Sequence, residues 1–182
     1  MKLKAIANVC KINNTVIIFN ASGGGQWISN GHAVYKLDGV RPLEAKDFLT
    51  LFDIPSDKRD AWTCETQDET SSTNLNLEND CAGESFAKLL PLSFTYLNQT
   101  YCGFTAENER SILVRHELIK PFMPFCEYTQ FYVRHRQSDE KPYLVVKDGL
   151  LISGVVLPAV LPANDEAFHN ALADIARAAR SS

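Results

Sequence analysis

The chain has 182 residues, 45 % hydrophobic and 22 % charged, with a formal net charge of −4. That length and mix describe one globular domain large enough for its own core. They exclude a broadly basic protein, so any nucleic-acid contact has to come from a local patch. The charge is uneven: eight Lys and Arg stand against six Asp and Glu in residues 1–60, two against eight in 61–110, and eight against eight in 111–182. Five cysteines, Cys10, Cys64, Cys81, Cys102 and Cys126, are odd in number and contain no C-x-x-C pair, which argues against a zinc or thioredoxin-type site. The apolar run after Lys2 and Lys4 is interrupted at Asn8, too early for a signal peptide, and nothing approaches the ~18 apolar residues of a membrane span. A cytoplasmic protein with free thiols and no membrane association is expected.

In chain order, residues 2–11 predict a short helix: Leu3, Ile6, Ala7 and Cys10 fall on one face, and Lys4, Asn8 and Lys11 on another. "TVIIFN" at 15–20 is β-branched and aromatic and reads as a strand. "QWIS", Asn30-Gly31 and "HAVYKL" read as a hairpin whose two central residues are Asn30 and Gly31, both with positive φ. Leu43, Phe48, Leu51 and Phe52 suggest a helix ended by Pro55, and "AWTCE" a strand. Residues 66–84 are polar and acidic and read as a mobile, dispensable insertion or loop, within which "NLNLE" alternates like one strand of a hairpin. Residues 86–105 read as short strands around Pro91, and "RSILVRHE" as a further strand. "LIKPFMPF" is a helical turn limited by Pro121 and Pro124. "TQFYVRHR", "PYLVV" and "LLISGVVL" are strands, with Arg134 and Arg136 on the polar side of the first and a tight turn at Asp148-Gly149 between the last two. The end of the chain predicts an amphipathic helix over 163–182, with Asp165 and Glu166 in its first turn and Phe168, Leu172 and Ile175 on an apolar face packed on the domain.

Catalytic constellations are sparse. His116-Glu117 lacks the second histidine of H-E-x-x-H, since position 120 is Lys. The Ser22-Gly23-Gly24-Gly25 loop lacks Gly-Lys-Ser/Thr and leads into a strand, a poor phosphate cradle. The acidic residues of 65–84 lack the alternate spacing of a calcium loop. Cys10 and Cys126 are expected on core faces as small hydrophobes. No catalytic residue, metal site or cofactor is predicted.

An internal repeat organises the rest. After Cys10 and again after Cys126 come a helix end, a strand, a loop, and a hairpin turning at Asn30-Gly31 or Asp148-Gly149. Each half reads as a short helix followed by three antiparallel strands, and two such units can share a sheet and a core. This arrangement resembles a domain of the sliding clamps of DNA replication, the processivity-factor fold. Lys141-Pro142-Tyr143-Leu144-Val145, then Asp148-Gly149, then Leu157-Pro158-Ala159-Val160-Leu161 follow the order of the closing strands of bacterial clamps. The resemblance covers about residues 1–37 and 111–161. More distantly, the chain is similar to small proteins of unassigned role from bacterial mobile elements.

The resemblance implies an α+β fold, a single clamp-like domain over 1–162 with the 66–84 insertion, and an extra C-terminal helix. It also implies two surfaces. Lys2, Lys4, Asn8 and Lys11 would touch the backbone of duplex DNA weakly and without sequence preference, and Leu157, Pro158 and Val160 would line a groove for a protein partner. A clamp ring needs six such domains, and this chain holds one. The leading expectation is a non-enzymatic clamp-like binding or scaffold protein, in the replication or recombination of a mobile element. The alternatives are a protein–protein interaction module, self-association included, without a nucleic-acid role, and an enzyme of unrecognised type.

Overall fold

The β-branched and aromatic runs of the chain become strands. A computed structural model describes residues 3–20, 25–39, 42–67, 74–106 and 111–160. The strands are β1 (Thr15–Asn20), β2 (Gln26–Ser29), β3 (Ala33–Leu37), β4 (Thr63–Gln67), β5 (Ser85–Tyr96), β6 (Gln99–Ala106), β7 (Ile112–Arg115), β8 (Thr129–His135), β9 (Pro142–Asp148) and β10 (Leu151–Val156). They form one ten-stranded sheet in the order β4-β1-β2-β3-β10-β9-β8-β5-β6-β7. The helices are α1 (Leu3–Asn13), α2 (Ala45–Leu51) and α3 (His116–Ile119), the last continued by a 3-10 turn at Lys120–Phe122. The class is α+β. Lys2, residues 22–24 of the glycine-rich loop and the expected helix over 163–182 lie outside the described residues.

The sheet is mixed, where a wholly antiparallel one was expected: β4 runs parallel to β1, Thr15 opposite Thr63 through Phe19 opposite Gln67. The chain reaches that position by crossing a sheet face through α2, which touches both strands, and such a crossover is what a parallel neighbour requires. All three helices pack on this one face. Ile6, Ala7, Val9 and Cys10 of α1, Phe48 and Leu49 of α2, and Leu118 and Ile119 of α3 share a core with Val16, Ile18, Ile28, Tyr35, Phe104, Val133, Leu144 and Val146 of the sheet. Tyr35 Oη donates to the Leu118 carbonyl at 2.9 Å, fixing α3 over β3.

Both hairpins turn one residue later than the dipeptides suggest. Asn30 N donates to Ala33 O, and Asp148 pairs with Leu151, so the central residues are Gly31-His32 and Gly149-Leu150. Only the glycines have positive φ, +83° and +62°. Asn30 takes the preceding position because its side chain is useful there. It is fully buried, its Oδ1 accepts from His32 N and Ala33 N at 3.0 Å, and its Nδ2 donates to Val9 O. Gly154, beside an irregularity in β10, has a different reason to be glycine: a Cβ there would lie 2.5 Å from Val34 O and 2.6 Å from Phe122 Cζ.

Residues 85–96 form one long strand, not short ones, and its register shifts against β6 between Leu89 and Ser93, around Pro91. Proline is tolerated because β8 pairs only with residues 85–87, so no partner strand asks for its missing N–H. "NLNLE" is not a strand; residues 74–79 are irregular. They are nonetheless fastened down. Leu75 and Leu77 pack against the second sheet face, where Phe19, Trp27, Val34, Tyr143, Val145, Ile152 and Val155 form a smaller core. The described part of the expected insertion, 74–84, is a strap across the sheet.

Candidate functional site

The strap is held by charge. Arg134 of β8, read from alternation as an outward residue, is only 2 % exposed. Its Nε and one terminal nitrogen donate to Glu84 Oε2 at 2.8 and 2.6 Å. Its remaining N–H groups reach the carbonyls of Asn76, Glu78 and Asn79 at 3.0, 2.8 and 3.3 Å. Lys147 of β9 completes the trio, donating to Glu84 Oε1 at 2.5 Å with its ammonium 4.6 Å from the centre of the Tyr132 ring. Asn79 Oδ1 accepts from Ile152 N, and Asn76 N donates to Tyr143 Oη, so the strap also binds β9 and β10.

Beside this trio lies a polar cavity of about 420 Å³, lined by Asn74, Asn76, Cys81, Arg134, His135 and Tyr143 among others. Size alone would make it the first choice for a ligand. Its one charged floor residue argues otherwise, because all five N–H donors of Arg134 already have acceptors within the protein. Burial pushes the Tyr143 hydroxyl up from its ordinary value, against the Asn76 amide and Arg134, which pull the other way. Arg134 serves the strap, and the cavity is the space left beneath it.

A second cleft, about 230 Å³, lies where the chain leaves β10, and Leu157, Pro158 and Val160 are among the residues that line it. Backbone bonds set its shape: Leu157 N donates to His32 O at 2.9 Å, and Ala159 N to Leu113 O at 2.7 Å, so the segment bridges the entrance of β3 and the edge strand β7. His32, Tyr101 and Arg115 line it as well and supply its polar part. Burial, then the Arg115 charge, lowers the His32 pKa from its ordinary value. Val160 is 98 % exposed. Sequence pointed to the apolar wall but not to the polar one, because Arg115 and His32 are brought to it by the sheet from distant positions.

Lys4, Asn8 and Lys11 are exposed together on α1, opposite its buried residues. Neither lysine has an ion-pair partner among the described residues. The 3-10 turn that carries the exposed Lys120 touches α1, which adds a cation to the same side of the molecule.

The other reactive groups are scattered. Cys10 is wholly buried under α1, and desolvation pushes its thiol up to about 12. Cys126, expected on a core face, is exposed, with its Sγ 3.1 Å from Asp148 Oδ1. The short apolar helix ends at Phe122, before Cys126 is reached. Among the described residues no three His, Cys, Asp or Glu side chains are grouped to hold a metal ion, and no helix is long and apolar enough to cross a membrane. No protein-family model, no curated protein and no solved structure matches the chain.

Proposed function

We propose that this chain is a non-enzymatic, clamp-like binding or scaffold protein. The observation that carries the reading is the central strand order β1-β2-β3-β10-β9-β8. It reads as two three-strand meanders meeting third strand to third strand. Each is preceded by a helix packed on the same sheet face, α1 before β1 and α3 before β8. Each also turns between its second and third strands with glycine first in the turn. Two such units are what a sliding-clamp domain is made of, and a pseudo-twofold between β3 and β10 relates them. In this reading the cleft at Leu157, Pro158 and Val160 receives a protein partner. Lys4, Asn8 and Lys11 (with Lys2 beside them) form a modest contact for the backbone of duplex DNA, in the replication or recombination of a mobile element.

Titration of a labelled duplex at two salt concentrations tests the nucleic-acid half. Binding is expected to be weak and independent of base sequence. With Lys4→Glu and Lys11→Glu combined, it should fall and its salt slope should shrink by about two. Sequence-selective binding, or tight binding indifferent to both changes, overturns the assignment. The second reading is an interaction module with no nucleic-acid role, supported by the cleft itself; absence of any duplex binding selects it.

A further inference from the structure

We infer that the cleft beside Leu157 takes a segment of a protein partner in which an apolar side chain stands next to a carboxylate, and that Arg115 selects the carboxylate. The inference rests on reading this cleft as the partner site and adds the chemistry of what enters it.

Size comes first. At about 230 Å³ the cleft is smaller than the roughly 300–1,000 Å³ typical of small-molecule sites. It accommodates one or two side chains of a segment whose backbone stays outside. Its apolar wall, Leu118, Leu157, Pro158 and Val160, supplies the surface for the first of them, and Val160 stands almost wholly uncovered.

Charge decides the second. Arg115 is half-buried at the junction of β7 and α3, and it makes no hydrogen bond or ion pair among the described residues. Among the described residues no carboxylate side chain lines the cleft, and Glu117, two residues on, is not paired with the guanidinium. The contrast with Arg134 is direct: among the described residues every donor of one guanidinium has an acceptor, and those of the other have none. A guanidinium fork matches a carboxylate in two parallel hydrogen bonds, and partial burial strengthens them. The His32 imidazole, which also lines the cleft, is held toward its neutral form by burial and by the Arg115 charge. The cleft therefore offers a single full positive charge, which suits a monoanionic carboxylate better than a dianionic phosphate. Among protein segments, an acidic residue beside an apolar one meets both walls at once.

The test uses the full chain and fluorescence anisotropy with labelled octapeptides. Each carries two adjacent apolar residues with either Glu or Gln beside them. Glu peptides are expected to bind about tenfold more tightly than their Gln twins, the increment of one charge-assisted pair. Arg115→Gln should remove that difference while leaving the Gln twins unchanged, and Arg115→Lys should keep part of it. Val160→Ser should weaken both twins alike, which reports on the cleft itself. Equal binding of the twins to the parent chain, with Val160→Ser still weakening both, would overturn the carboxylate selection and leave the partner cleft standing. If no peptide binds, or Val160→Ser changes nothing, the cleft reading falls as well. Survival of the Glu preference in Arg115→Gln, with an unchanged circular dichroism spectrum, places the carboxylate elsewhere and also overturns the inference.

Discussion

Glu84→Gln keeps the shape of the side chain at the centre of the strap and removes its charge. In the parent chain Glu84, 15 % exposed at its side chain, faces two cations whose side chains are 1 % and 7 % exposed, Arg134 and Lys147. With charge centres about 4 Å apart and an effective dielectric constant near 20, each pair has a gross attraction of about 4 kcal/mol. Most of this offsets the desolvation of the ions, so the intact trio contributes little net stability. Removing the shared anion is different, because the desolvation remains and the attraction is lost. Arg134 keeps its three carbonyl acceptors and Lys147 keeps the Tyr132 ring, which soften the loss. A destabilisation of about 3–5 kcal/mol follows, the usual result of breaking a buried pair on one side. Urea denaturation followed by far-UV circular dichroism measures it. Adding Lys147→Met to Glu84→Gln should restore part of the loss, since the double variant buries one uncompensated cation and not two. If Glu84→Gln unfolds within about 0.5 kcal/mol of the parent, the trio is effectively hydrated and the strap is not held by charge.

Gly154→Ala puts a methyl against Val34 O, a backbone atom that cannot swing away, and should lower stability by about 1–3 kcal/mol or more in the same assay; an unchanged midpoint would mean that β3 and β10 separate freely there. Asn30→Ala strands the buried amide of Ala33 and removes the acceptor of the part-buried His32 amide, and should destabilise by about 1–3 kcal/mol, whereas a neutral result would show water replacing the side chain. In thiol labelling of the native protein Cys126 should react first, and Cys10 and Cys102 only on unfolding, because the latter two are buried; early modification of Cys10 would contradict the packing of α1. Burial raises the folded Cys10 pKa from 9.0 to about 12, so its contribution to stability is complete below pH 9 and declines as pH rises from 9 to 12, when only the unfolded chain readily loses the proton. Parent and Cys10→Ala should therefore differ progressively less in stability over that range, and a constant difference would exclude the linkage.

Local pattern was enough for the elements. The β-branched run 15–20, the apolar spacing of Leu3, Ile6, Ala7 and Cys10, and the runs at 142–148 and 151–156 all fold as their periodicity requires, because a strand or an amphipathic helix is decided by neighbours within a few residues. The apolar wall of the cleft was legible for the same reason: Leu157, Pro158 and Val160 lie within four consecutive residues. Tertiary structure decided the rest. The first hairpin turns one residue late with Asn30 held by a partner in Val9, which no local rule can supply. Arg134 lies inside a strap, not in solvent, because Glu84 and three carbonyls from 76–79 converge on it from some fifty residues away in the chain. Arg115 became a candidate only when β7 and the start of β3 met at the chain's exit from β10. The sequence by itself determined which segments bury an apolar face; only the tertiary structure decided which charges are satisfied among the described residues, since charge compensation depends on distance in space and not along the chain.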